Sequence, residues 1–252
     1  MHPLVCIKRV PNTGASAILT EDKQSIDASN LGYTLSPHEE CGIEEAVQLV
    51  ETHGGEATAM TLGPEGAEEQ LQTAIAMGVE EAVRLEDDSS DGRPSQVAEA
   101  LANAVEARET DHDLLIFGNE AADAQNYQVG VRVAEHLGWP CVTGIKELTV
   151  EDGSAIAERE IPGGAELYEL DLPAVITVKE GLNEPRYPSM RARMQARKTP
   201  IETMAPEGTG IEGFEKVELV IPEEGESETD ILGESADAAP QVVDVLDELE
   251  VL

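Results

Sequence analysis

Asp113-Leu114-Leu115-Ile116-Phe117 runs directly into Gly118, and Asn119-Glu120-Ala121-Ala122-Asp123-Ala124-Gln125-Asn126-Tyr127-Gln128-Val129-Gly130 follows. A short apolar run that meets a glycine has the length of a strand buried on both faces. From Tyr127 to Leu137 the pattern is that of a helix, closed by Gly138-Trp139-Pro140. Glycine at a strand end permits close backbone approach, and a helix N-terminus offers free N–H groups to a phosphate. Asp123, Gln125 and Asn126 are good cap or turn formers. A plain capped strand–helix turn would read the same way. The unit lacks the GK[ST] of a Walker loop and the GxGxxG of a dinucleotide fingerprint.

The same alternation repeats along the chain. Leu4 to Ile7 is a buried strand, and Glu39 to His53 is a helix with Ile43, Ala46, Val47, Leu49 and Val50 at helical spacing, ended by Gly54-Gly55. Glu56 to Leu62 is a strand, Ala67 to Met77 a helix, Ala82 to Leu85 a strand, Ser95 to Arg108 a helix and Cys141 to Thr143 a strand. Alternating strands and helices with short connections predict an open, mostly parallel α/β sheet with helices on both faces. Ligands of such sheets bind beyond the carboxyl ends of the strands, so the loops after Ile7 and Phe117 matter most.

The pattern changes from Ile145. Glu147 to Val150, the turn Glu151 to Ser154 and Ala155 to Arg159 predict a hairpin, and Ala165 to Leu170 and Ala174 to Val178 add two strands, an antiparallel extension. After Ala205 come 15 acids opposed only by Lys216, yet Val242, Val245, Leu246 and Leu249 keep helical spacing. The expected division is an α/β domain over 1–205 and an acidic arm over 206–252 whose last helix docks on a partner.

Composition narrows the classes. The 52 acidic residues against 16 basic ones give a net charge of −36, which disfavours nucleic acid. Acids occur in almost every segment, and this spread reads as adaptation to high salt, where the Debye length falls to ~3 Å. No stretch reaches the ~20 apolar residues of a membrane span. The N-terminus has no basic region followed by an apolar run, so a cytoplasmic location is expected. Cys6, Cys41 and Cys141 are odd in number and lie outside any CxxC pair, which reads as three small hydrophobes. His38, His53, His112 and His136 are scattered, and no metal site is expected.

Against this acidic background, residues 186–198 hold five of the 16 basic residues and no acid. Two prolines keep Asn183 to Ser189 extended or turned, and Met190 to Lys198 can be helical. One reading is a projecting loop with an apolar tip at Met190 that docks on a partner. The other is a helix whose cations pair with the chain's own carboxylates.

Leu172-Pro173-Ala174-Val175-Ile176-Thr177-Val178, followed by Leu182-Asn183-Glu184-Pro185-Arg186-Tyr187-Pro188-Ser189 and Met194-Gln195-Ala196-Arg197-Lys198, resembles the signature of the electron-transfer flavoprotein beta subunit. Val5-Cys6-Ile7-Lys8-Arg9-Val10, Ser36-Pro37, Thr73-Ala74-Ile75-Ala76-Met77-Gly78, Gly138-Trp139-Pro140 and Arg159-Glu160 also resemble the family, collinearly from about Leu4 to Glu202.

The resemblance implies a fold similar to adenine nucleotide hydrolases and universal stress proteins. It implies a heterodimer with an alpha subunit that shares an FAD, and no catalytic residue of the chain's own. It implies a pocket for a structural AMP, or for a second FAD in electron-bifurcating members. That pocket would use Cys6, Ser36, Pro37, His38, Glu39, Leu62, Gly118, Asn119, Glu120, Ala121, Ala122, Asp123, Ala124, Gln125, Asn126, Tyr127, Gln128 and Val129. The last loop departs from the family pattern: Glu120 replaces Gln, Tyr127 is bulky, and Gln128-Val129-Gly130 leans towards bifurcating members. Asn183, Glu184, Pro185, Arg186, Tyr187, Met190, Arg191 and Arg193 correspond to the family's recognition loop. It docks flavin dehydrogenases, such as those of fatty acid oxidation, before electrons pass to a quinone oxidoreductase or another acceptor. Thr13 is expected near the flavin ring. A stand-alone nucleotide-binding stress-type protein would share only the first 145 residues.

Overall fold

The computed structural model describes residues 1–12, 18–27, 29–87, 92–208, 216–222 and 231–251. In chain order they form β1 (Pro3–Cys6), β2 (Val10–Pro11), β3 (Tyr33–Thr34), α1 (Pro37–His53), β4 (Thr58–Gly63), α2 (Glu68–Met77), β5 (Glu81–Glu86), α3 (Pro94–Ala107), β6 (Leu114–Gly118), α4 (Val129–Leu137) and β7 (Cys141–Ile145). Then come β8 (Glu147–Glu151), β9 (Ser154–Ile161), β10 (Gly164–Asp171), β11 (Ala174–Val178), α5 (Met190–Ala196), β12 (Glu202–Met204) and α6 (Ala239–Glu248).

Seven strands form one sheet in the order β12-β5-β4-β1-β6-β11-β7, every pair parallel. Alternate side chains leave its two faces, which explains why the central strands β1, β6 and β11 are almost wholly apolar. Val5, Ile7, Leu114 and Ile116 join a core beneath α1 and α2. Leu4, Cys6, Leu115 and Phe117 join a second core beneath α3 and α4. Both are built mainly from Val, Ile, Leu and Ala, with Phe117 the one buried Phe, Tyr or Trp among the described residues. This is the doubly covered parallel α/β sheet that the strand–helix alternation predicted. Cys6 and Cys41 are buried and Cys141 half-buried, all as free thiols.

The antiparallel extension is a three-stranded sheet, β10-β9-β8, whose Val150, Ala155 and Ala157 pack on the first core. Two strands sit elsewhere than their neighbours in sequence suggest. β11 follows the hairpin yet inserts between β6 and β7 in the parallel sheet. All five of its residues are buried, as that central place requires. β12, which the sequence pattern does not signal, pairs with β5 at the far edge, with Glu202 opposite Val83. Arg108 reinforces that edge by bridging Glu81 and Glu202 at 2.8 and 2.7 Å.

By contacts the chain divides into Met1–Leu219 and Val220–Leu252. In the second unit α6 leaves Val242, Val243, Val245 and Leu249 exposed. No helix among the described residues is long and apolar enough to cross a membrane.

Candidate functional site

The register aligns Met60, Cys6 and Phe117 as one row across β4, β1 and β6. Gly118 lies one residue beyond that row and Lys8 two, at the carboxyl edge of the sheet. α1 starts at the same edge, because Ser36 is its extended N-cap and Pro37 supplies a preset φ for the first turn. The two approach so closely that a Cβ on Gly118 would lie 2.9 Å from Glu39 Cγ and 3.3 Å from His38 Cβ. Glycine is therefore required at this strand end.

Glu39 joins the pieces. Its Oε1 accepts the Lys8 backbone N–H at 2.9 Å and its Oε2 accepts the Ser36 backbone N–H at 3.0 Å. Burial pushes its carboxyl up to about 8, against the pull of those bonds and of the Lys8 charge. Burial, and then the Glu39 carboxylate, also hold the Cys6 thiol protonated. The Ser36 hydroxyl accepts the Ala122 N–H at 3.0 Å, and Lys8 Nζ donates to both oxygens of Asp123 at 2.7 and 2.8 Å. The exit of β1, the start of α1 and the loop after β6 are thus stitched together. His38 Nδ1 is buried beside Gly118 with no hydrogen-bond partner among the described residues.

Asn119 ties the same loop to the neighbouring strands. Its N–H donates to the Val178 carbonyl at 2.9 Å, and its Oδ1 accepts from the Thr177 hydroxyl at 2.8 Å. Beyond it, Ala122 to Gln128 are exposed. Gln125 and Tyr127 take positive φ of 47° and 55°, so α4 begins at Val129 rather than at Tyr127. Tyr127 is 55% exposed, turned outward, and its phenol is raised by a hydrogen bond to Glu120. A Cβ on Gly130 would stand 3.0 Å from Thr177 Cγ2, so α4 starts tight against β11.

Leu62 stands at the same edge, two residues beyond Met60 on β4. It packs on the core beneath α3 and lines a cleft of about 240 Å³ with Asp87, Gln96, Glu99, Ala100 and Pro206. Thr13 lies outside the described residues. No group of three or more potential metal-ligating side chains occurs among the described residues.

The segment from Leu182 to Lys198 faces two ways. Asn183 and Arg186 turn inward to α1. Tyr187, Met190 and Met194 are 88, 76 and 61% exposed, with Arg193 stacked on the Tyr187 ring. Glu184, Pro185 and Arg191 lie on the surface as well. Sequence reading did not foresee the Lys8–Asp123 pair, 115 residues apart, or the acids of α1 that receive Arg186. The signal for the latter was present: Glu44, Gln48 and Glu51 recur at helical spacing on a face that should otherwise be exposed.

A parallel sheet with a glycine-closed loop at its carboxyl edge defines a doubly wound α/β protein of the kind that binds ligands past its strand ends. The electron transfer flavoprotein domain family matches residues 25–208. The electron transfer flavoprotein subunit beta of Bacillus subtilis is 35% identical over 98% of this chain and 97% of its own length. Its Mycobacterium bovis counterpart is 36% identical over 84% and 82%, and the Homo sapiens one 32% over 89% of each. The chain belongs to the electron transfer flavoprotein family, with relatives over nearly its whole length that are beta subunits.

Proposed function

We propose that this chain pairs with an electron-transfer flavoprotein alpha subunit and, as a carrier without catalytic residues, passes electrons from flavin dehydrogenases to a quinone oxidoreductase or another acceptor. The observation that carries the reading is the exposure of Tyr187, Met190 and Met194 on a segment otherwise pinned to the fold. An apolar patch rimmed by Arg191 and Arg193, on a chain of net charge −36, suits an apolar pocket with an acidic rim on a donor flavoprotein. FAD held with the alpha subunit supplies the redox chemistry. The exposed apolar side of α6 gives the 206–252 arm a face for that subunit.

The edge formed by Ser36 to Glu39 and Gly118 to Val129 suits a structural AMP. His38 Nδ1 offers a buried polar atom that lacks a partner among the described residues, Gly118 lets the loop backbone run close against the start of α1, and the first turn of α4 carries no acid. There the chain binds and orients the nucleotide, and Lys8, Ser36 and Glu39 hold the loop in place. Gln128-Val129-Gly130 favours a second reading, in which the same edge holds a second FAD in an electron-bifurcating carrier. The dispersed acids fit a cytoplasm of high salt.

Co-expression with the alpha subunit, followed by counting FAD and AMP released per heterodimer, tests both readings. One FAD with AMP supports the simple carrier, and two FAD without AMP support bifurcation. Recovery as a stable, nucleotide-free homodimer would overturn both.

A further inference from the structure

From Leu182 to Ser189 the chain has neither helix nor strand, and Pro185 and Pro188 remove two backbone donors from it. Side-chain bonds to α1 hold it instead. Asn183 Nδ2 donates to the Cys41 carbonyl at 3.0 Å and to Glu45 Oε2 at 2.9 Å. The Arg186 backbone N–H and Nε both reach Glu44 Oε2, at 3.0 and 2.8 Å, while Nη2 reaches Glu44 Oε1 at 2.9 Å. Nη1 and Nη2 also reach the two oxygens of Glu51, at 2.7 and 3.0 Å.

Cys41, Glu44, Glu45, Gln48 and Glu51 form one stripe of α1, and Glu44 is only 3% exposed. A buried carboxylate is costly unless fully bonded. Burial pushes Glu44 upward, but bonds from Arg186 and Gln48 outweigh it and keep the carboxyl below its ordinary range. The guanidinium spends four of its five N–H donors on these two acids, leaving little for another molecule. Immediately beyond it stands Tyr187, the most exposed of the large apolar side chains among the described residues.

We propose that Arg186, gripped by Glu44 and Glu51, is a positioning residue that holds the 183–190 segment in the one pose from which Tyr187 and Met190 meet the donor. This rests on the docking reading above and moves Arg186 out of the contact surface itself. A loop preorganised in its bound shape avoids the ordering cost of binding. If the released segment is competent only part of the time, the apparent KM for the donor rises by the inverse of that fraction, while the rate at saturation stays the same.

The test uses heterodimers with the alpha subunit, in wild-type, R186K, E51Q and M190A forms. Flavin reduction is followed against the concentration of a substrate-reduced flavin dehydrogenase, alongside amide hydrogen exchange over 182–190. Lysine keeps the charge but lacks the planar fork that engages both carboxylates through paired bonds. R186K is expected to raise KM about 3- to 10-fold with kcat unchanged and to speed exchange in the segment. E51Q gives a smaller rise that disappears in molar salt, where the exposed Glu51 arm of the wild type is screened as well. If M190A raises KM and R186K does not, the clamp is refuted and the docking surface stands. If neither variant changes KM, the docking surface itself is refuted and the clamp falls with it. Lower kcat or poorer assembly of R186K at unchanged KM would reduce Arg186 to a purely structural part and overturn the proposal.

Discussion

Replacing Glu39 with Gln separates the two things this side chain does. Both of its oxygens accept a buried backbone N–H, from Lys8 and Ser36. Gln can offer one oxygen, so its amide NH2 confronts the second donor, which costs about 1–3 kcal/mol at any pH. The second effect depends on pH. The Glu39 carboxyl is raised from its ordinary 4.5 to about 8, so the folded protein holds a proton that the unfolded chain has released. The stability this confers is complete below pH 4.5, declines through the window up to about 8 and is gone above it. The slope approaches 1.4 kcal/mol per pH unit, about 2–4 °C in Tm for each kcal/mol at this chain length. Glutamine binds no such proton. Thermal melts of wild-type and E39Q heterodimers across pH 5 to 9 should therefore favour the wild type most at the acidic end, with the wild type losing several degrees relative to E39Q by pH 8, enough to reverse their order. Melting curves that stay parallel, or a wild type that gains on E39Q as the pH rises, would refute the reasoning.

Gly118→Ala would drive a methyl group to 2.9 Å from Glu39 Cγ, and a clash of that kind costs about 1–3 kcal/mol. A lower Tm together with loss of co-purifying nucleotide is expected, and full nucleotide content would count against the site. His112 is 5% exposed and burial lowers its pKa from 6.5, so the neutral ring is favoured on folding. Its contribution is present above pH 6.5 and lost as the pH falls through the lowered folded value, so H112N should flatten the acid limb of the Tm profile. An unchanged limb would contradict this. Potassium chloride at molar concentration should raise the Tm of the heterodimer, since crowded surface acids repel less when screened. A fall in Tm would refute the salt-adapted reading of the charge.

The sequence made the layered architecture legible because each strand–helix unit carries its own period. Leu114 to Phe117 is apolar without a break, and α3 repeats Ala and Leu at helical spacing. Strand order is not local information. Nothing in Ala174–Val178 states that it slides between β6 and β7, although a strand apolar but for Thr177 demands cover on both faces. β12 is three residues long, polar at Glu202 and Thr203, and becomes a strand only because β5 offers a free edge. The helix after Phe117 was expected two residues early, since its pattern extends back to Tyr127 while the left-handed Gln125 and Tyr127 hold the chain off. At the site, Gly118 and Ser36 could be named from residue type and resemblance. The roles of Glu39, Lys8 and Asp123 could not, because each depends on a partner from another part of the chain.

α1 serves both halves of the molecule's work. Its N-cap Ser36 and first-turn Glu39 stand at the proposed nucleotide edge, and its outer stripe carries Glu44 and Glu51 beneath the proposed docking segment. A helix of 17 residues is a stiff rod of about 25 Å. Tilting such a rod shifts the seat of Arg186 and the cradle around Gly118 in the same movement. A donor pressing on Tyr187 would thus lean on the strut that frames the proposed nucleotide edge.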